Sequence, residues 1–284
     1  MGNSCCIVDK QEPYYDSTEI PESYHKDWMS RLDDSCELAM LSLPGTHNSM
    51  SLHGGALTQC QSWCLTAQLD AGIRWLDIRC RHYQEGLPIY HSMIFQHYNL
   101  DEVFRDCVKF LQDHPTEIVV MRIRREWDTS EVDSDKTMDQ KVQEHVDKWG
   151  GDDYFWTHHQ LPTVRESRGK VVILYDYYGG TVGVNYWVLD IADMWDVSNI
   201  CYCAIETKWD DVRTHLDEAS DLESTRMFLT YSSGSSACAH PHSVAWRINP
   251  KLYDYITGAK ARWGAVAMDF PGSELIERII HSNF

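Results

Sequence analysis

Five places in the 284-residue chain hold residue types suited to acid–base work on a phosphoester. Leu43-Pro44-Gly45-Thr46-His47-Asn48-Ser49 supplies a histidine just past an apolar run. Ile73 to Cys80 alternates as a strand and carries Asp77 and Arg79. Leu87 to Tyr90 is a short strand followed by His91. Glu117 to Trp127 is a strand with a basic–acidic end, Arg122 to Glu126, and Ala265 to Met268 leads into Asp269. Two imidazoles can serve as base and acid, a guanidinium can hold charge on non-bridging oxygens, and a carboxylate can orient an imidazole. Each has a structural alternative: a turn histidine, an Asp77–Arg79 ion pair, a solvated Arg122–Arg125 face, or Asp269 as a helix cap.

These residues converge only if the strands run side by side with their ends on one rim. The sequence alternates strand-like and helical segments without a linker or a break in composition. Strands are expected at 38–43, 73–80, 87–90, 117–127, 171–175, 200–205, 227–231 and 265–269. Helices are expected at 56–70, 99–112, 135–148, 210–222, 250–257 and 273–281. Seven or eight strands over a single unit of about 250 residues predict an α/β fold, a distorted (β/α) barrel of the TIM type, with its site at the C-terminal ends of the strands. The alternative is an open doubly wound sheet. Residues 1–25 read as a tail and 26–284 as the barrel domain.

Composition narrows the partners. Lys plus Arg total 25 against 43 Asp plus Glu, a formal charge of −18. That excludes the basic footprint of a nucleic-acid-binding protein, so an anionic substrate must meet a local basic pocket. No apolar run is long enough to cross a bilayer, and the N-terminus lacks the pattern of a secretory signal. The ten cysteines form no CxxC pair, and Cys60/Cys64, Cys201/Cys203 and His240/His242 lack a second half at zinc spacing. No metal and no cofactor are expected, and the chain is expected to be a cytosolic monomer with reduced thiols.

The run Leu43 to Ser49, then Gln68-Leu69-Asp70-Ala71-Gly72-Ile73-Arg74-Trp75-Leu76-Asp77-Ile78-Arg79, then Tyr90-His91, resembles the X domain of phosphatidylinositol-specific phospholipases C, especially its small single-domain forms. The likeness extends through Phe110–Trp127, Arg168–Tyr177, Ser232–Ser236, Ile248-Asn249-Pro250 and Met268-Asp269, or roughly residues 38–280. It implies a distorted TIM barrel that cleaves phosphatidylinositol to diacylglycerol and a cyclic inositol phosphate. By position, His47 is similar to the general base, Asp269 to the carboxylate that orients it, Arg79 to the phosphate-binding residue and His91 to the general acid. Asn48 and Asp77 stand as supporting residues, and Asn48 is expected to hydrogen-bond His91.

Calcium-dependent relatives carry an acid where this chain has Arg79, so the resemblance implies a metal-independent reaction. Asn48 replaces a bacterial aspartate, and Asp176 falls where the bacterial pattern has an inositol-binding arginine. The carboxylate of the ring pocket falls near Glu206 or Thr207. Arg124 and Glu126 match an inositol clamp, with Trp209 placed to cover the ring. Alternatives are a weak or inactive barrel that binds phosphoinositides, or a phosphodiesterase for another lipid head group. Gly2 resembles a myristoylation start, although the pattern wants Ser or Thr where Cys6 stands, and Cys5 and Cys6 are palmitoylation candidates. Two chains would hold the protein at the cytosolic face of a membrane, next to a lipid substrate.

Overall fold

The computed structural model describes residues 9–84, 86–126 and 135–284. Its frame is a curled sheet. The strands are β1 (Gln11–Glu12), β2 (Tyr15–Asp16), β3 (Leu43–Thr46), β4 (Trp75–Cys80), β5 (Pro88–His91), β6 (Ile94–Asn99), β7 (Val119–Arg125), β8 (Phe155–Trp156), β9 (Val171–Asp176), β10 (Val184–Asn185), β11 (Asp190–Ala192), β12 (Phe228–Tyr231) and β13 (Ala265–Met268). The helices are α1 (Leu65–Ala71), α2 (Leu100–Asp113), α3 (Met138–Lys148), α4 (Val164–Ser167), α5 (Tyr202–Ala219), α6 (Pro241–Tyr255) and α7 (Ser273–His281).

Hydrogen-bonded neighbours follow the order β10-β9-β7-β4-β3-β13-β12-β11, all parallel, with β8 beside β9 and the β5–β6 hairpin attached to β4. Among the described residues no ladder joins β10 to β11, so the barrel is distorted by an open seam. The seam is tied by side chains: the Tyr186 and Tyr231 hydroxyls lie 3.2 Å apart.

Buried Val, Ile, Leu and Met fill the barrel strands and the inner helix faces. Helix α2 shows how the sequence directs this. Asn99 and Glu102 close a reciprocal cap at its start, and Leu100, Val103, Phe104, Cys107, Val108 and Leu111 form one buried face. Each such side chain contributes about 1.5–3 kcal/mol on full burial. At the N-terminal end of the strands, Arg74 donates to Glu117 through Nε (2.9 Å) and Nη2 (2.7 Å), both side chains fully buried.

Several elements depart from the sequence expectation. Residues 38–40 form a 3-10 turn, and the strand lies at 43–46, through Pro44 and Gly45 rather than before them. Gly45 is required there, because a Cβ would sit 2.6 Å from Trp75 Cβ on the neighbouring strand. Only 65–71 of the expected helix 56–70 is helical; residues 56–64 form a loop over the barrel mouth. The run 200–205 opens α5, whose buried residues Ile205, Lys208, Trp209, Val212, Leu216 and Ala219 keep helical spacing. Helix α6 starts at Pro241, with Pro250 inside it, held by the buried face Val244, Ala245, Ile248 and Leu252. Trp127, the expected end of the strand β7, lies outside the described residues.

The expected tail is also corrected. From Gln11 onward it forms the β1–β2 hairpin, with Tyr15 and Asp16 buried. Tyr15 packs on Phe270 and Trp246, and the Asp16 N–H donates to Phe270 O at 3.0 Å.

Candidate active site

Strand β3 ends at Thr46, and the next residues turn sharply over the barrel mouth. Asn48 takes φ +46°, a conformation that asparagine tolerates better than most residues. The turn is strapped by side chains. Thr46 Oγ1 lies 2.7 Å from Ser49 Oγ and 2.8 Å from Gln68 Oε1, while Gln61 Nε2 donates to the carbonyls of His47 and Met268. His47 is thereby held against the end of β13.

There its Nδ1 meets Asp269 Oδ1 at 2.8 Å. The Asp269 side chain is buried, and its backbone carbonyl accepts from Asn249 of α6. With a carboxylate on Nδ1, the neutral imidazole keeps its proton there and leaves Nε2 free as a base. Tyr231 of β12 sets its ring edge-on to His47 at 5.9 Å.

Strand β4 presents Asp77 and Arg79 to the same face, two residues apart. Arg79 donates to Asp77 Oδ2 through Nη2 (2.9 Å) and Nε (3.2 Å), and the Asn48 N–H donates to the same oxygen. Asp77 Oδ1 faces Arg122 Nη1 at 3.3 Å. Burial alone would raise the Asp77 carboxyl, but Arg79, Arg122 and His47 outweigh it and hold it well below the usual range. Asp77 is a fixed anion whose two oxygens are already taken. The adjoining guanidinium cannot ligate a cation, so this pair does not offer the oxygen shell that calcium requires.

His91 arrives differently. Strand β5 runs antiparallel to β4 and returns its last residue toward the mouth, so His91 does not sit at the end of a barrel strand. Its Nδ1 donates to Thr58 O at 2.7 Å and lies 2.9 Å from Ser51 Oγ. Asn48 does not supply the expected hydrogen bond: its Nδ2 is buried without a partner. The carbonyl took that role because residues 56–64 are loop, not helix, and their backbone is free to bond side chains. Burial first, then the charges of His47 and Arg79, push His91 down to about 4.

Arg122, read from the sequence only as part of a basic strand end or a solvated face, turns out to face the interior. It is buried and fully engaged: Nη1 donates to the Tyr231 hydroxyl at 2.7 Å, and Nη2 and Nε donate to Asp176 at 2.6 and 3.1 Å. Its period-2 relation to Arg124 was the available signal that it faces inward. The negative charge at Asp176 is therefore neutralised locally. Arg124 stands level with Arg79 and Asp176 across three strands, with Nε 3.9 Å from Asp176. Glu126 Oε1 accepts from the Ser92 N–H at the start of the turn after His91.

Trp209 is not at the site: it packs edge-on to Tyr255 between α5 and α6. Glu206 likewise pairs with Lys251 of α6 at 2.7 Å, and Thr207 bonds back to Cys203 O. All three follow from α5 being an outer helix here rather than a strand. Gly2, Cys5 and Cys6 lie outside the described residues.

Comparison with known proteins agrees with this geometry. The family profile described as phosphatidylinositol-specific phospholipase C, X domain, matches residues 41–176. The 1-phosphatidylinositol phosphodiesterase of Listeria monocytogenes is 30% identical over 283 residues, covering 91% of this chain and 85% of the relative. The chain belongs to the phosphatidylinositol-specific phospholipase C X-domain family. The Staphylococcus aureus 1-phosphatidylinositol phosphodiesterase is 26% identical, with 95% and 99% of the two chains covered. The solved Listeria phospholipase C superposes with a TM-score of 0.79 at 28% identity, covering 92% of this chain and 99% of that one. As an X-domain phospholipase fold, the chain places His47, Arg79, His91 and Asp269 about one mouth, with Arg124 and Glu126 at its edge.

Proposed function

We propose that this X-domain protein cleaves phosphatidylinositol to diacylglycerol and a cyclic inositol phosphate without a metal. His47 Nε2 takes the proton of the inositol 2-hydroxyl as its oxygen bonds phosphorus. Asp269 stabilises the imidazolium that forms. Arg79, anchored by Asp77, holds charge on the phosphoryl oxygens. His91 Nε2 passes a proton to the glycerol oxygen as the bond from phosphorus to that oxygen breaks. Because the nucleophile is on the substrate itself, attack is effectively unimolecular. The observation that carries this reading is the unequal support of the two histidines. His47 has a buried carboxylate on Nδ1, which favours a base, while His91 has a neutral carbonyl there and is depressed by burial and then by nearby positive charge. The reading is tested by head-group release from phosphatidylinositol vesicles. The wild type should turn over and His47→Ala should not; equal rates in both would refute it.

Arg124 and Glu126 are the side chains we propose for the inositol ring. A second reading, another lipid head group, is favoured by Asp176 and its capture of Arg122; a panel of head groups separates the two.

We also propose that the N-terminus anchors the protein at the cytosolic face of membranes through acylation of Gly2 and of Cys5 or Cys6. The β1–β2 hairpin docks on Phe270, next to Asp269, so the chain leaves the barrel beside its mouth. From Gly2 to Lys10 it can span at most about 30 Å. This short tether would hold the mouth toward the bilayer against the net charge of −18. Gly2→Ala should move the protein to the soluble fraction of cells; unchanged fractionation would refute the anchor.

A further inference from the structure

Cys60 lies between the two histidines of the mouth and has no part in the reaction proposed above. It is fully buried in the loop that precedes α1. Its thiol has only weak hydrogen-bond contacts, among them Thr58 O at 3.4 Å and His91 Nδ1 at 4.0 Å. Cys60 Sγ, a ring nitrogen of His47 and a carboxylate oxygen of Asp269 all lie within 4.8 Å of one another. Among the described residues this is the one trio of His, Cys and carboxylate side chains so placed. A second observation concerns Asp269: its Oδ2 is buried and has no hydrogen-bond partner, while Oδ1 is committed to His47.

One thiolate, one imidazole and one carboxylate make a donor set for a borderline-soft cation and a poor one for calcium or magnesium. Zinc bond lengths of about 2.0–2.3 Å place tetrahedral ligands about 3.4–3.6 Å apart, so the three atoms, within 4.8 Å of one another, would have to close by no more than about 1.4 Å. Asp269 and Cys60 line the inner side, and His47 is the member that reaches solvent, at 16% side-chain exposure. The fourth position would therefore open on the mouth and take water.

We propose that His47, Cys60 and Asp269 form an inhibitory zinc site. Zinc there binds a nitrogen of His47, either the basic one or the other with the ring proton moved onto the basic one, and also takes the Asp269 carboxylate, so the 2-hydroxyl proton has no acceptor. On coordination the Cys60 thiol proton leaves to solvent, and its removal by a chelator is the reverse step. An enzyme that needs no metal would thus be switched off by one. The inhibitory consequence rests on the phosphodiesterase reading, whereas occupation of the site does not.

The test uses the full-length protein, reduced with a non-chelating phosphine and stripped of metal. Zinc is titrated in competition with a chromophoric chelator, and cobalt(II) is used as a spectroscopic probe of thiolate ligation. The wild type should bind one zinc and show a sulfur-to-cobalt charge-transfer band. Cys60→Ser should lose the band and bind zinc at least about 100-fold more weakly, as befits the loss of a direct ligand. Cys201→Ser with Cys203→Ser, which removes an exposed thiol pair, should behave as the wild type. On phosphatidylinositol vesicles, the ratio of rates without and with saturating zinc should be at least ~10² for wild type, on the order of the effect of losing a general base. For Cys60→Ser the ratio should be close to 1. The proposal is overturned if the wild type fails to bind zinc, or if Cys60→Ser binds and responds as the wild type does. Should the protein prove inactive on the lipid, the cobalt band and the zinc titration still decide whether the site exists.

Discussion

Replacing Asp269 with asparagine changes one atom in the site and nothing in its packing. The amide keeps the shape of the carboxylate, stays buried, and leaves the Asn249 bond to the residue 269 carbonyl in place. What is lost is the charge facing the imidazolium. At the observed 2.8 Å, and an effective dielectric of about 20, two unit charges interact by about 6 kcal/mol. Little of this is forfeited in the ground state, where His47 acts as a neutral base. Nearly all is forfeited in the transition state, so the barrier rises by most of it. A second route to the magnitude is tautomeric: an amide N–H turned toward Nδ1 drives the imidazole proton onto Nε2 and blocks the base. The equivalent change in a serine-protease triad costs ~10⁴ in turnover, about 5.5 kcal/mol. The two routes agree, and kcat for Asp269→Asn should fall by ~10⁴ with little change in KM. Steady-state kinetics on a short-chain soluble phosphatidylinositol, with thermal melts as the control for folding, measures both. A folded variant whose kcat is within tenfold of the parent would show that His47 does not act as a base oriented by Asp269.

Other perturbations separate the remaining roles. Arg79→Ala should lower kcat at least ~10²-fold, as expected when one donor to the developing oxyanion is removed; near-parental turnover would take Arg79 off the phosphate. His91→Ala should fail on the natural substrate but recover on an aryl ester, whose leaving oxygen needs no proton, whereas His47→Ala should fail on both. The pH dependence follows from His91, which must be protonated to act and is held down to about 4 in the free protein. The alkaline limb of kcat/KM, which reports the free protein, should therefore lie at lower pH than that of kcat, because a bound phosphodiester anion raises the imidazole again. Coincident limbs would contradict this. Glu117→Gln leaves the buried Arg74 without its counter-charge and should cost about 3–5 kcal/mol of stability in denaturant unfolding, with the activity of the folded fraction intact.

The sequence disclosed the parts of this site that sit on regular elements. Asp77 and Arg79 are legible because strand alternation puts residues two apart on one face. His47 and Asp269 are legible because an apolar run ends just before each. The closing helix, Ser273–His281, is where its apolar periodicity placed it. Four things were hidden, each for a physical reason. The loop 56–64 carries apolar residues at helical spacing, but its backbone is spent on Ser51, His91 and Phe270 instead of on a helix. The inward position of Arg122 depends on Asp77, Asp176 and Tyr231, which come from three other strands and meet only in the folded sheet. The true surroundings of Trp209 depend on α5, where three β-forming residues, Ile200, Tyr202 and Ile205, masked a helical burial pattern that begins at Ile205. Docking of the N-terminal hairpin was likewise invisible, since it rests on Tyr15 meeting Phe270, some 250 positions away.

The central claim is that this barrel mouth performs intramolecular phosphoryl transfer with protein side chains alone. Phosphorus-31 NMR of the wild-type protein with phosphatidylinositol vesicles in excess EDTA tests it most directly, with diacylglycerol followed in parallel. The account predicts a five-membered cyclic inositol phosphate as the first product, formed at the same rate as diacylglycerol and unaffected by the chelator. An acyclic phosphate as the first product, or turnover that EDTA abolishes and calcium restores, would contradict it.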